Sequence, residues 1–208
     1  MAAVAAGKGG EGMTFRQHLK QEAYRILDTF PEELRPEIYV VALSLYRVDQ
    51  DARYPYVDIG YNTESQIRRE CERSRGGMDP DGEVRWSYAY WILDGFERVG
   101  HVPEDPVGTA LHRAEAAAKG LWFEDEEQFS ERWEAVFDAL CADFAEDCVH
   151  VARHLHETGR VEEVLGRRVP VVLFDMDDPE DQIPRTAAAN PPEVVADYLA
   201  WQRAQVEE

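Results

Sequence analysis

Ile38-Tyr39-Val40-Val41-Ala42-Leu43-Ser44-Leu45-Tyr46 is apolar at nearly every position and rich in β-branched and aromatic side chains. A strand with one wet face alternates apolar and polar residues, whereas a run apolar in both parities belongs to a strand covered on both sides. The chain therefore contains a central strand with layers packed above and below it. Downstream, Tyr56-Val57-Asp58-Ile59-Gly60-Tyr61 alternates cleanly, as a strand with one wet face does. Only a short connection around the polar Asp49-Gln50-Asp51-Ala52 separates the two runs. No crossover helix fits in that gap, so an antiparallel hairpin is the expected pairing.

Helical patterns surround this hairpin. Phe15, Leu19, Ala23, Ile26 and Leu27 recur at helical spacing, and Pro31 and Pro36 end that helix. Thr63 is placed to cap a short helix to about Ser74, followed by a polar loop over 75–82. The cluster Trp86, Tyr88, Tyr90, Trp91 and Phe96 reads as core or as a pocket lining. A loop with Pro103 and Pro106 leads to an alanine-rich helix over 107–119. The longest pattern runs Phe129, Trp133, Val136, Phe137, Leu140, Phe144, Cys148, Val151 and Leu155, one apolar stripe stopped by Gly159 or Gly166. Val169 to Phe174 reads as a second buried strand, and Pro192 to Gln205 as a closing amphipathic helix. The expected fold class is α+β: a small, mainly antiparallel sheet covered by several helices. Residues 13–208 form the expected single domain, behind a disordered extension over 1–12 whose Ala/Gly composition lacks the features of a signal peptide. Met13 is the expected physiological start.

Charge bounds the function. The chain carries 42 Asp+Glu against 22 Lys+Arg, a net charge of −20 on 208 residues. Such a surface repels phosphate, so nucleic acid and anionic membranes are excluded as partners and a basic protein is favoured. No apolar run reaches the roughly 18 residues of a membrane span. Three cysteines are too few for a disulfide framework, which points to a reducing, cytoplasmic location.

Three constellations carry residue types suited to chemistry. Val171-Val172-Leu173-Phe174-Asp175-Met176-Asp177-Asp178 looks like the nucleophile motif of haloacid-dehalogenase-type phosphatases, but Asp178-Pro179 follows and only 30 residues remain to supply the rest of the site. The same loop holds five acids between Asp175 and Asp181, yet lacks the alternating ligands and central glycine of a calcium loop. On the long helix, Asp143, Asp147, His150 and His154 form one stripe of metal-ligand types, without a second helix of matching ligands. No activated nucleophile, glycine-rich phosphate loop or cofactor motif is present.

The acids themselves are the remaining signal. Between Glu124 and Asp147 there are ten acids and a single base, Arg132. Glu127, Glu131, Glu134 and Asp138 share one outward face, with Asp177, Asp178 and Asp181 as a second patch. Like charges on one helix face cost stability, so such a face is either merely solvated or kept for docking a cationic partner.

Tyr39 to Tyr46, Asn62-Thr63-Glu64, Arg85-Trp86-Ser87 with Trp91, and Asn190-Pro191-Pro192 together give the chain an order of segments that resembles the bacterial family called domain of unknown function 4303. The resemblance spans most of 14–201; this chain has Tyr88-Ala89-Tyr90-Trp91 where the family favours Pro-Ala-Glu-Trp. It implies no catalytic residues, and a style of protein similar to toxin-immunity proteins. Two functions follow as expectations. One is a protein-binding module that neutralises a basic bacterial toxin through the acidic residues above. The alternative is a metal-dependent enzyme using Asp143, Asp147, His150 and His154.

Overall fold

In the computed structural model the described residues are 12–74, 77–92 and 96–207. The extension over 1–11, and Arg75 and Gly76 of the expected loop, lie outside them. Helix α1 (Phe15–Thr29) starts with a capping box in which Thr14 and Gln17 exchange hydrogen bonds. Strand β1 (Ile38–Arg47) pairs antiparallel with β2 (Pro55–Thr63), as the hairpin reading requires. Thr63 then caps α2 (Glu64–Arg73), accepting from the backbone of Gln66. A single helical turn, α3 (Glu83–Trp86), precedes β3 (Glu97–Gly100), which pairs antiparallel with β2.

Helix α4 (Pro106–Ala118) leads to α5 (Glu131–Glu157), the longest element. Gly159 and Gly166, both at positive φ, end α5 and the short α6 (Arg160–Leu165). Strand β4 (Val171–Asp175) adds parallel to β1, so the sheet order is β3-β2-β1-β4. Helices α7 (Gln182–Ala189) and α8 (Pro192–Glu207) follow. The fold is α+β, with a four-stranded sheet that is antiparallel except for its last pair.

Both faces of β1 are buried. Val41, Leu43 and Leu45 join Leu173 of β4, α1, and the second half of α5 in one core, while Val40 and Ala42 join Val172, Phe174, Trp86, Trp91 and Tyr198 in another. The register slips between Ile38 and Val40, a bulge that puts Tyr39 and Val40 on the same face. Tyr39 is thereby aimed at Arg85, whose carbonyl accepts its hydroxyl, and it receives the Asn62 amide at 2.8 Å. Trp91 Nε1 donates to the same carbonyl, and Arg85 grips Glu64 with both ends of its guanidinium. The aromatic cluster is therefore mainly core, with Trp86 and Trp91 buried and Tyr88 and Tyr90 packed against them, while one edge of Trp86 lines a cleft together with Tyr39, Arg85 and Trp201. Phe96 sits apart, its ring lying where a side chain on residue 60 would go, which only Gly60 permits.

The outer edge of β4 is satisfied by side chains. Thr186 accepts from Leu173 N and donates back to Leu173 O, and Asn190 accepts from Val171 N at 2.7 Å and donates to Val171 O at 2.7 Å. The Asn190-Pro191-Pro192 step thus ends α7 and clamps the strand. A third, smaller core of Ala52, Ala116, Phe123, Val136 and Leu140 joins α4, the β1–β2 connection and the start of α5.

Candidate functional site

The first half of α5 departs from the expected continuous apolar stripe. Ser130 caps the helix by accepting from Trp133 N, which leaves Phe129 outside it. Phe129 is 82 % exposed and sits at φ 63°, a left-handed conformation that a bulky L-residue adopts only against a steric cost. Its ring packs at a tilt of 46° against half-buried Trp133, 5.1 Å between centroids, and Trp133 packs at 47° against half-buried Phe137 at 5.2 Å. Trp133 and Phe137 pack against the edge of the third core, and full burial begins at Val136 and Leu140.

Glu131, Glu134 and Asp138 are all exposed on a different face of α5 from Trp133 and Phe137, and form no ion pair among the described residues. Glu131 and Glu134 lie in the first helical turn, where the free backbone N–H groups favour negative charge and offset part of the mutual repulsion. Glu127 closes the short turn Asp125–Glu127 just before; its side chain lies outside the described residues.

The second expected patch behaves differently. Arg47, at the end of β1, is held by Asp177 at 2.6 Å, Asp178 at 2.8 Å and Asp175 at 3.2 Å. Arg185 of α7 pairs with Asp181 at 2.7 Å and Asp175 at 3.3 Å. Four carboxylates are therefore shared between two guanidiniums, and the loop is anchored rather than free. Burial raises the pKa of Asp175, and its two arginines oppose that rise. Asp175 is thus the hub of an ion network, and Asp177, the other acid of the phosphatase-like motif, is paired to Arg47 as well.

A shallow cleft of about 210 Å³ brings the two patches together: Asp138 and Cys141 of α5 line it opposite Asp178, Asp181 and Arg185. Burial pushes the Cys141 thiol up to about 11, so it stays protonated at neutral pH and is a poor nucleophile.

The stripe Asp143, Asp147, His150 and His154 is dispersed among separate partners. Asp143 binds Lys119 at 2.6 Å, and buried Asp147 binds Arg16 of α1 at 2.5 Å. His150 pairs with Glu146 rather than with an aspartate, and His154 packs against the Tyr24 ring. Among the described residues no group of three or more His, Cys, Asp or Glu is arranged to hold a metal ion. Helical spacing put these side chains on one stripe, but α1 and α4 pack against it and draw each acid to a different cation.

No helix among the described residues is long and apolar enough to cross a membrane. Compared with family models, curated proteins and solved structures, the chain matches none. What residue periodicity concealed is the exposure of Phe129: it continues the apolar stripe in sequence, and only the Ser130 cap removes it from the helix. Ser130, followed by Glu131 and Glu134, was the available signal for that helix start.

Proposed function

We propose that this protein is a binding module whose acid-rimmed aromatic face on α5 docks a cationic protein, in the manner of an immunity protein that covers a basic bacterial toxin. The observation that carries the reading is Phe129, a large ring 82 % exposed and held in a costly backbone conformation, at the head of a helix whose adjoining face presents Glu131, Glu134 and Asp138, which form no ion pair among the described residues. An exposed aromatic anchor with a charged rim is the composition of a protein-binding hot spot. Glu131, Glu134 and Asp138 supply long-range attraction for a basic partner, while Phe129 and Trp133 supply the contact that is desolvated on docking. Asp178 and Asp181 extend the negative rim across the cleft, tempered by Arg47 and Arg185. The similarity in style to toxin-immunity proteins agrees with this division of labour.

Tagged protein retains the partner from the native organism's lysate at low ionic strength, and salt releases it for mass spectrometry. With the partner purified, association slows steeply as salt rises, and Phe129→Ser weakens binding by about thirtyfold, the effect of truncating an aromatic anchor. An affinity that ignores both salt and Phe129→Ser overturns the reading.

A further inference from the structure

A cleft of about 630 Å³ opens between the β1–β2 connection, the turn after β3, and one face of α4. Its walls are Val48, Val102, Pro103 and Pro106, and it is a broad groove open to solvent. In a chain with 42 acidic residues, none of the nine residues lining it is Asp or Glu. Arg113 lies on its rim, exposed and without an ion pair among the described residues, its guanidinium 4.8 Å from the centre of the Trp122 ring. That contrasts with Arg47, Arg53 and Arg185, each held by at least two carboxylates. The Tyr54 hydroxyl likewise has no hydrogen-bond partner among the described residues. Buried His101 forms part of the wall and bonds to His112 at 3.0 Å. Burial, with Arg113 adding to it, holds the His101 pKa down to about 4, so the wall there is polar but uncharged at neutral pH.

We propose that this cleft binds a small organic carboxylate with an apolar body, its carboxylate paired with Arg113 and its body lying between Tyr54 and the proline wall. One planar guanidinium matches one carboxylate through two parallel hydrogen bonds, whereas a phosphate dianion would need a further cation, and Arg113 is the one cation among the lining residues at neutral pH. The site is separate from the docking face on α5 and does not depend on it.

Calorimetric titration of the intact protein with 2-naphthoate, and with uncharged 2-naphthalenemethanol, tests this directly. Naphthoate is expected to bind, with amide shifts in the NMR spectrum centred on Tyr54, His101, Ala110 and Arg113. The neutral analogue is expected to bind about tenfold more weakly, and Arg113→Gln to erase that difference, because a charge-assisted pair is lost in each case. Ala110→Phe, at an exposed helical position, fills the cleft and abolishes binding without unfolding the protein. Equal binding of the two probes, shifts centred on Trp133 instead, or no binding of naphthoate at millimolar concentration overturns the proposal.

Discussion

The first turns of α5 and the cleft along α4 share one small core, yet they treat charge in opposite ways. On the first turns of α5 Glu131, Glu134 and Asp138 are exposed and form no ion pair among the described residues, whereas the cleft wall contains no acid and presents Arg113. A net charge of −20 is therefore a sum over unlike regions and not a uniform coat. Electrostatic field depends on where charges stay unpaired, and local pairing decides that. The two regions meet at Arg53, which is buried among the rings of Tyr54, Trp122 and Phe123. It binds Asp51 of the β1–β2 connection at 2.6 Å and Asp125, beside the acidic face, at 2.7 Å.

Breaking that junction should have the largest effect. Arg53→Met removes a buried cation from two carboxylates and is expected to cost about 3 kcal/mol in urea unfolding, with both binding activities impaired together. A loss no larger than the ~1 kcal/mol of a surface pair would show that the regions do not depend on it.

The cleft side carries its own pH signature. Burial holds His101 down to about 4 and His112 to about 3, against an ordinary value of 6.5. The unfolded chain takes up protons first, so the contribution of each histidine is level above pH 6.5 and falls as pH drops toward 4, by about 3 kcal/mol for His101, while Asp58, raised to about 6 by burial, acts in the opposite sense below that pH. His101→Gln should flatten the fall. An unchanged acid slope in that variant would remove the pair as its source.

Neutralising the acidic face with Glu131→Gln, Glu134→Gln and Asp138→Asn should lower affinity for a basic partner by about tenfold, chiefly through slower association. Naphthoate binding in the cleft should not move. Coupled losses in both would mean that the two regions are not independent.

The smallest effect is also the sharpest. Phe129→Gly suits the left-handed backbone and is expected to raise stability by about 0.5 kcal/mol, after the lost ring contact with Trp133 is subtracted. Partner binding should fall at the same time. A destabilised Phe129→Gly would assign the ring to the fold instead of the interface.

Much of the fold was legible because burial imposes period. The two-sided run of β1, the alternation of β2 and the stripe of α1 all follow from which faces are covered. Strand β3 was missed because Glu97 and Arg98 are charged and its four residues show no period. Helices α6 and α7 were missed because each spans two turns or so, too short to establish one. The acidic face on α5 was legible as a spacing of carboxylates. The anchoring of Asp177, Asp178 and Asp181 was not, since Arg47 lies 130 residues from Asp177 in the chain. The cleft was invisible for the same reason: its wall is assembled from two segments about fifty residues apart, 48–54 and 101–113, neither of which carries a motif.

The side-chain clamp on β4 has a bearing on how any partner can attach. With Thr186 and Asn190 occupying its outward N–H and C=O groups, that margin of the sheet offers no template for another strand. The opposite margin, β3, is four residues long and carries Glu97 and Arg98. Recruitment by β-augmentation, which reads little beyond backbone, is thereby closed at β4 and poorly served at β3. The proposed docking would then rest on side chains of the helices, where charge and shape, and not backbone alone, are read.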